Sequence, residues 1–80
     1  MKINWVDGSY IKTEFVDNSF MISANKEGLI SLANILTDMA KDETFNGWHI
    51  HLDDWNDLEK GSIELTLMKD QDLPAKIVDK

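Results

Sequence analysis

Apolar and polar residues alternate along the first part of the chain, which is the pattern of half-buried β-strands. The alternation begins at Ile3 and Trp5 and resumes after a turn signal at residues 7–9, where glycine can adopt a positive φ. A three-residue loop there places Trp5 opposite Ile11 and keeps the apolar side chains on one face. The first 23 residues are therefore predicted to form a meander of three short strands.

A second turn signal lies at residues 17–18, where aspartate is followed by asparagine. Both residue types tolerate the left-handed conformations that tight hairpin turns require. A two-residue loop at this point sets Phe15 opposite Phe20 and Thr13 opposite Ile22.

The period then changes to that of an amphipathic helix. Asn25 is a suitable N-cap and Glu27 suits the positive end of the helix dipole, so we expect the helix to run from about Lys26 to Lys41. Gly28 weakens the first turn and points to a close approach by another part of the chain. The predicted core-facing stripe is Leu29, Leu32, Ala33, Leu36, Met39 and Ala40.

Two further alternating runs, residues 48–53 and 62–69, flank a polar loop. The predicted order is β-β-β-α-β-β, a two-layer α+β fold with a mainly antiparallel five-stranded sheet and one helix on one face. We expect one domain over residues 1–70 and a loosely attached tail over 71–80, which contains Pro74 and the pair Ile77-Val78. The predicted core is Ile3, Trp5, Ile11, Phe15, Phe20, Ile22, Leu29, Leu32, Leu36, Ile50, Leu52, Ile63, Leu65 and Leu67.

Composition narrows the possible functions. Among 80 residues there are fifteen acidic and eight basic side chains, which gives a net charge of −7, and every basic residue is lysine. Without arginine the chain has no guanidinium fork for phosphate or guanine, so nucleic acid is a poor partner. The absence of cysteine removes disulfides and thiolate chemistry. No apolar run is long enough for a signal peptide or a membrane helix, so we expect a cytoplasmic protein with a wholly polar exterior and no membrane contact.

Two histidines lie on the sheet face away from the predicted helix. Pairing Leu52 with Ile63 in the last hairpin sets His51 against Glu64 and His49 against Thr66, with Asp53 near Ser62. The run from His49 to Asp54 is similar to the His-x-His-x-Asp-His motif of metallo-β-lactamase-like hydrolases, but aspartate replaces its last histidine. Two imidazoles and a carboxylate on an exposed strand make an incomplete metal site. We therefore expect no metal, no cofactor and no catalytic residue. The histidines are then either polar residues on a solvated sheet face or part of a protein-binding face.

The loop between these runs is rich in acids and carries a tryptophan. It does not match an EF-hand, because Leu58 stands at the fifth position counted from Asp54 and no glycine stands at the sixth. Either the tryptophan folds back onto the core, or it is an aromatic anchor ringed by acids for a basic partner. In the second case the expected partner-binding residues are His49, His51, Asp53, Asp54, Trp55, Asp57, Glu59 and Glu64.

Three segments together carry a family resemblance. They are Gly28–Ala33 at the start of the helix, His49–Asp54 on the fourth predicted strand, and Leu58–Leu65 leading into the fifth. Their order and spacing resemble immunity protein family 32 of bacterial polymorphic toxin systems, over about residues 23–67. The resemblance implies a small, non-catalytic α+β protein that binds and neutralises a cognate protein toxin in the cytoplasm.

A second functional class remains open from the residues alone. In this class the chain is a structural or regulatory module that self-associates as a homodimer through its open sheet face, with or without a metal that bridges histidines across the two-fold axis.

Overall fold

The computed structural model describes residues 3–77, which form an α+β fold with one helix and two antiparallel hairpins. In chain order the elements are β1 (Ile11–Val16), β2 (Ser19–Ala24), α1 (Lys26–Ala40), β3 (His49–Leu52) and β4 (Leu65–Met68). β1 pairs with β2 and β3 pairs with β4, each in its own two-stranded sheet. The predicted α+β class, single helix and antiparallel pairing are confirmed, whereas the five-stranded sheet is wrong.

The β1–β2 hairpin has the predicted turn and register. Phe15 lies opposite Phe20 and Thr13 opposite Ile22. The two turn residues, Asp17 and Asn18, both have positive φ, 49° and 66°. Such a turn matches the right-handed twist of the strands on either side.

Residues 59–63 explain why no five-stranded sheet forms, because they lie along the second edge of β1. The Glu59 N–H donates to the Ile11 carbonyl at 2.7 Å, and the Ile63 N–H donates to the Thr13 carbonyl at 3.2 Å. The Thr13 N–H donates to Ser62 Oγ at 3.1 Å, and the Thr13 hydroxyl donates to the Ile63 carbonyl. Ser62 was expected beside Asp53 and instead satisfies the backbone of β1.

Because residues 59–63 bond to β1, the β3–β4 hairpin pairs in a register that is shifted by two positions from the predicted register. Leu52 lies opposite Leu65 rather than Ile63, and His51 lies opposite Thr66. A shift of two preserves the face of every side chain, since strand side chains alternate with a period of two. His49 and His51 therefore remain on the exposed face, as expected.

The N-terminal segment packs against the helix and not beside β1. Residues 3–10 contain a turn but no strand, so the predicted first strand is wrong. The Val6 N–H donates to the buried hydroxyl of Ser31 at 2.8 Å, and Asn34 Nδ2 donates to the Asn4 carbonyl at 2.9 Å. Side chains of α1 thus satisfy backbone groups that strand pairing would otherwise have bonded.

The helix begins where the sequence predicts. Asn25 is the N-cap and its Oδ1 accepts the Gly28 N–H at 2.8 Å. A Cβ on Gly28 would lie 2.5 Å from the Tyr10 carbonyl oxygen, which confirms the close approach expected at this glycine. At the other end, the ammonium of buried Lys69 donates to the carbonyls of Lys41 at 2.7 Å and Thr44 at 2.8 Å.

The core is smaller than the sequence predicts. Of the expected core residues, Ile11 and Leu52 are fully buried, and Trp5, Leu32, Ile50, Leu65 and Leu67 are partly buried against them. Ile35, Met39 and Leu58 complete the buried cluster. The remaining expected core residues are exposed: Ile3, Phe15, Phe20, Ile22, Leu29, Leu36 and Ile63. The expectation of a wholly polar exterior is therefore also wrong.

The last described residues contain no helix or strand. The Gln71 N–H donates to Asn46 Oδ1 at 2.8 Å, and beyond it Leu73 and Ile77 are exposed. Val78 lies outside the described residues. No helix within residues 3–77 combines the length and the apolar character needed to cross a membrane.

Candidate binding face

The loop after β3 is held at both ends and exposes its tryptophan between them. Leu58 is buried in the core, and Glu59 is tied to β1 through its N–H. Between these attachments and β3, the side chain of Trp55 is 90% exposed. Trp55 therefore does not fold back onto the core, as one of the two interpretations expected. Leu58 is the loop residue that packs into the core.

Asp53 gives this loop its shape. Its Oδ1 accepts the N–H groups of Trp55 at 3.0 Å and Asn56 at 3.2 Å, and its carbonyl accepts those of Asp57 at 3.2 Å and Leu58 at 2.9 Å. Aspartate commonly organises a turn by such bonds to the following backbone. The carboxylate of Asp53 is thus directed towards the loop backbone, which fixes the position of Trp55.

A second aspartate closes the loop from the other side. Asp54 Oδ2 accepts the Gly61 N–H at 3.2 Å, and Gly61 has a φ of 89° that an L-residue rarely adopts. Asp54, Trp55 and Lys60 line a depression of about 300 Å³. Lys60 was not among the expected site residues. Its place in an acidic segment, next to a glycine suited to a turn, is the sequence signal that could have identified it.

The acids of the loop differ in their surroundings. Partial burial raises the pKa of the Asp57 carboxyl, and the negative charge of Asp53 raises it further. Glu59 is exposed, while Asp53, Asp54 and Asp57 are partly buried. The loop therefore concentrates four carboxylates within seven positions around one exposed indole.

The two histidines form a second group on the exposed face of the β3–β4 hairpin. His51 Nδ1 lies 2.8 Å from both Glu64 Oε1 and Thr66 Oγ1, and the His49 and His51 rings are 5.2 Å apart. The expected proximity of His51 and Glu64 is thus present despite the shifted register. His49 Nδ1 lies 3.1 Å from the Gly47 carbonyl. Within residues 3–77, no group of three or more metal-binding side chains is arranged to hold an ion.

Together the fold and this face define a small α+β domain that presents an acidic loop, an exposed indole and a polar strand face. The family model for immunity protein 32 matches residues 19–70, which is well over half of the chain. The chain belongs to the immunity protein 32 family, as the resemblance of its helix start and its last hairpin suggested. No curated protein and no solved structure matches it.

Proposed function

We propose that this chain is an immunity protein that binds a cognate toxin in the cytoplasm of the producing cell and blocks it without catalysis. Membership of the immunity protein 32 family supports a toxin as the partner. The proposed binding face consists of His49, His51, Asp53, Asp54, Trp55, Asp57, Glu59 and Glu64.

The observation that carries the choice of face is the exposure of Trp55 on a loop that is fixed at both ends. Tryptophan is enriched among the residues that dominate interface energies. A loop already ordered by Asp53 and Leu58 loses little conformational freedom on binding, so more of the contact energy appears as affinity. Trp55 would enter an apolar pocket on the toxin and mainly determine how slowly the complex dissociates.

The acids around Trp55 support a basic partner surface. With a net charge of −7, the chain attracts a positively charged protein over a distance of about one Debye length, ~8 Å at physiological salt. Charges at the rim of an interface mainly change the association rate. The inhibited surface of the toxin would therefore be rich in lysine or arginine.

Growth protection tests the function itself. A candidate toxin domain, taken from the neighbouring reading frame, is expressed with and without this chain. The wild-type chain should restore growth and copurify with that domain. Toxicity that the chain leaves unchanged would contradict the proposed function.

Binding kinetics test the face. Trp55→Ala should raise the dissociation rate about tenfold or more, as expected for an aromatic anchor. The double variant Glu59→Lys/Glu64→Lys should slow association and flatten its salt dependence. Asp42→Lys/Glu43→Lys makes the same charge change on exposed residues beyond the helix end and serves as the matched control. Equal association rates in the two double variants would exclude this hairpin as the electrostatic face.

A further inference from the structure

The outer edge of β2 is unpaired, whereas both edges of β1 are occupied. β1 bonds to β2 on one side and to residues 59–63 on the other. Within residues 3–77, no backbone hydrogen bond reaches the outer edge of β2. This edge is therefore the open end of the sheet that β1 and β2 form.

The register identifies which backbone groups lie on that edge. Val16 and Ser19 flank the two-residue turn and exchange hydrogen bonds, so the N–H and C=O groups of Phe20 and Ile22 point away from β1. The opposite edge follows the same alternation, because Ile11 and Thr13 direct their backbone groups to residues 59–63. Phe20 and Ile22 thus offer four backbone groups to an incoming strand.

The β2 edge lacks the features that keep a strand edge unpaired. Natural edges are commonly protected by charged side chains, proline or a bulge. Residues 19–24 contain no charge and no proline, although 29% of the whole chain is charged. Phe20, Met21 and Ile22 are each 40–43% exposed. An apolar, uncharged and regular edge of this kind favours strand addition.

We propose that β2 pairs with β2 of a second copy of this chain in an antiparallel, two-fold symmetric dimer. The proposal does not rest on the proposed function. Its basis is that the sequence of β2 is self-complementary about Met21. With Met21 on the axis, Phe20 of one copy lies opposite Ile22 of the other, and Ser19 lies opposite Ser23.

Charge complementarity supports the same register at the ends of the strand. Continued past the strands, antiparallel pairing about Met21 sets Asp17 in the turn of each copy opposite Asn25 of the other, and therefore diagonally beside Lys26 at the start of that copy's helix. Both side chains are exposed, so opposite charges meet at each end while the strand between them is neutral. The result is a continuous four-stranded sheet in the order β1-β2-β2-β1, and sheets of this size are more stable than isolated hairpins.

A charge substitution on the axis tests the dimer. Met21→Glu places two carboxylates directly opposite each other, and Glu14 lies across the strand pair from each of them. Sedimentation equilibrium should show a wild-type dimer and a dissociation constant about tenfold or more weaker for the variant. Met68→Glu, at a more exposed methionine of β4, is the matched control and should leave the dimer intact. An equimolar mixture of Met21→Glu and Met21→Lys should restore association as a heterodimer.

A cross-link provides the second test, which does not depend on a destabilising charge. The chain has no cysteine, so Met21→Cys introduces a single thiol. At a non-hydrogen-bonded antiparallel pair the two Cα atoms lie about 4.5 Å apart, within the range of a disulfide. Oxidation should give a covalent dimer much faster than in Met68→Cys.

Three results would overturn the proposal. They are a wild-type chain that stays monomeric up to millimolar concentration, a dimer that Met21→Glu leaves unchanged, and equal cross-linking rates for the two cysteine variants. A monomeric wild type in which Met21→Glu weakens toxin binding would instead assign the edge to a strand of the toxin. Salt also distinguishes self-association from toxin binding. Added salt should strengthen the dimer, because it screens the repulsion between two acidic copies, and should weaken binding to a basic toxin, because it screens their attraction.

Discussion

Gly28 shows how a single residue can reverse the usual effect of a substitution. In an exposed helix position, replacing glycine by alanine stabilises a protein by about 1 kcal/mol. At Gly28 the added Cβ would lie 2.5 Å from the Tyr10 carbonyl oxygen and 2.9 Å from Ile11 Cγ1. Neither a backbone oxygen nor a fully buried isoleucine can move away without disturbing the core.

Gly28→Ala should therefore destabilise the protein by about 1–3 kcal/mol, the usual cost of overpacking. Urea unfolding followed by circular dichroism measures the change. Thr37→Ala, at an exposed position of the same helix, isolates the gain in helix propensity and should be neutral or slightly stabilising. Equal stability of Gly28→Ala and wild type would contradict the close approach of Tyr10.

The ionisation of Asp57 makes the protein less stable as the pH rises, whereas most surface acids have the opposite effect on stability. Burial and the charge of Asp53 raise its pKa in the folded state, so folding disfavours its ionised form. The resulting loss of stability is complete above the folded pKa and absent below the unfolded pKa, about 3.9. Lowering the pH through this window removes the loss.

Asp57→Asn should accordingly raise the free energy of unfolding at neutral pH, and with it the melting temperature. The gain should be less than about 1 kcal/mol, because the Asp57 carboxyl is still partly in water. The two proteins should converge as the pH falls towards about 3. Melting curves at several pH values provide the measurement. A stabilisation by Asp57→Asn that persists unchanged at low pH would point to a cause other than ionisation.

At the scale of the elements, the helix buries a narrower and differently placed face than its apolar stripe predicts. Its buried residues are Gly28, Ser31, Ile35 and Met39. Leu29 and Leu36, on one flank of the stripe, are 57% and 52% exposed. The apolar stripe is wider than the buried face. That face was not predicted because it includes the polar Ser31, which is buried since its hydroxyl binds the N-terminal segment.

Substitutions at two adjacent helix residues, Ile35 and Leu36, test whether the observed buried face or the predicted apolar stripe packs against the core. Ile35→Ala should cost about 2–5 kcal/mol, as is usual for a large core side chain, since Ile35 is fully buried. Leu36→Ala should cost much less because half of its side chain is already in water. Chemical denaturation of both variants gives the comparison, and the reverse order would restore the predicted stripe as the buried face.

At the scale of the whole molecule, local signals predicted the structure well and long-range pairing was predicted poorly. The turn at Asp17-Asn18 and the helix cap at Asn25 depend on neighbouring residues, and both are confirmed. The cluster of loop acids around Trp55 was likewise visible from proximity in sequence. The predicted five-stranded sheet was wrong because residues 59–63 bond to the free backbone groups of β1, about fifty positions away. No local sequence pattern indicates that pairing.

Lys69 is a second long-range connection, which joins the end of β4 to the end of the helix. Lys69→Met keeps most of the side-chain volume but removes the donor to the carbonyls of Lys41 and Thr44. The loss should cost about 1–3 kcal/mol, the penalty for leaving buried polar groups unsatisfied. Lys76→Met, at an exposed lysine, is the control. Equal urea midpoints for the two variants would show that this connection contributes nothing.

The occupied second edge of β1 also determines the order of folding during synthesis. The β1–β2 hairpin and the helix consist of contacts between near neighbours, which form quickly. The bonds from Glu59, Ser62 and Ile63 to β1 close a loop of about fifty residues, whose entropy must be lost before those bonds form. While the chain is still on the ribosome, β1 and β2 therefore expose two open edges until Ile63 has emerged from the exit tunnel.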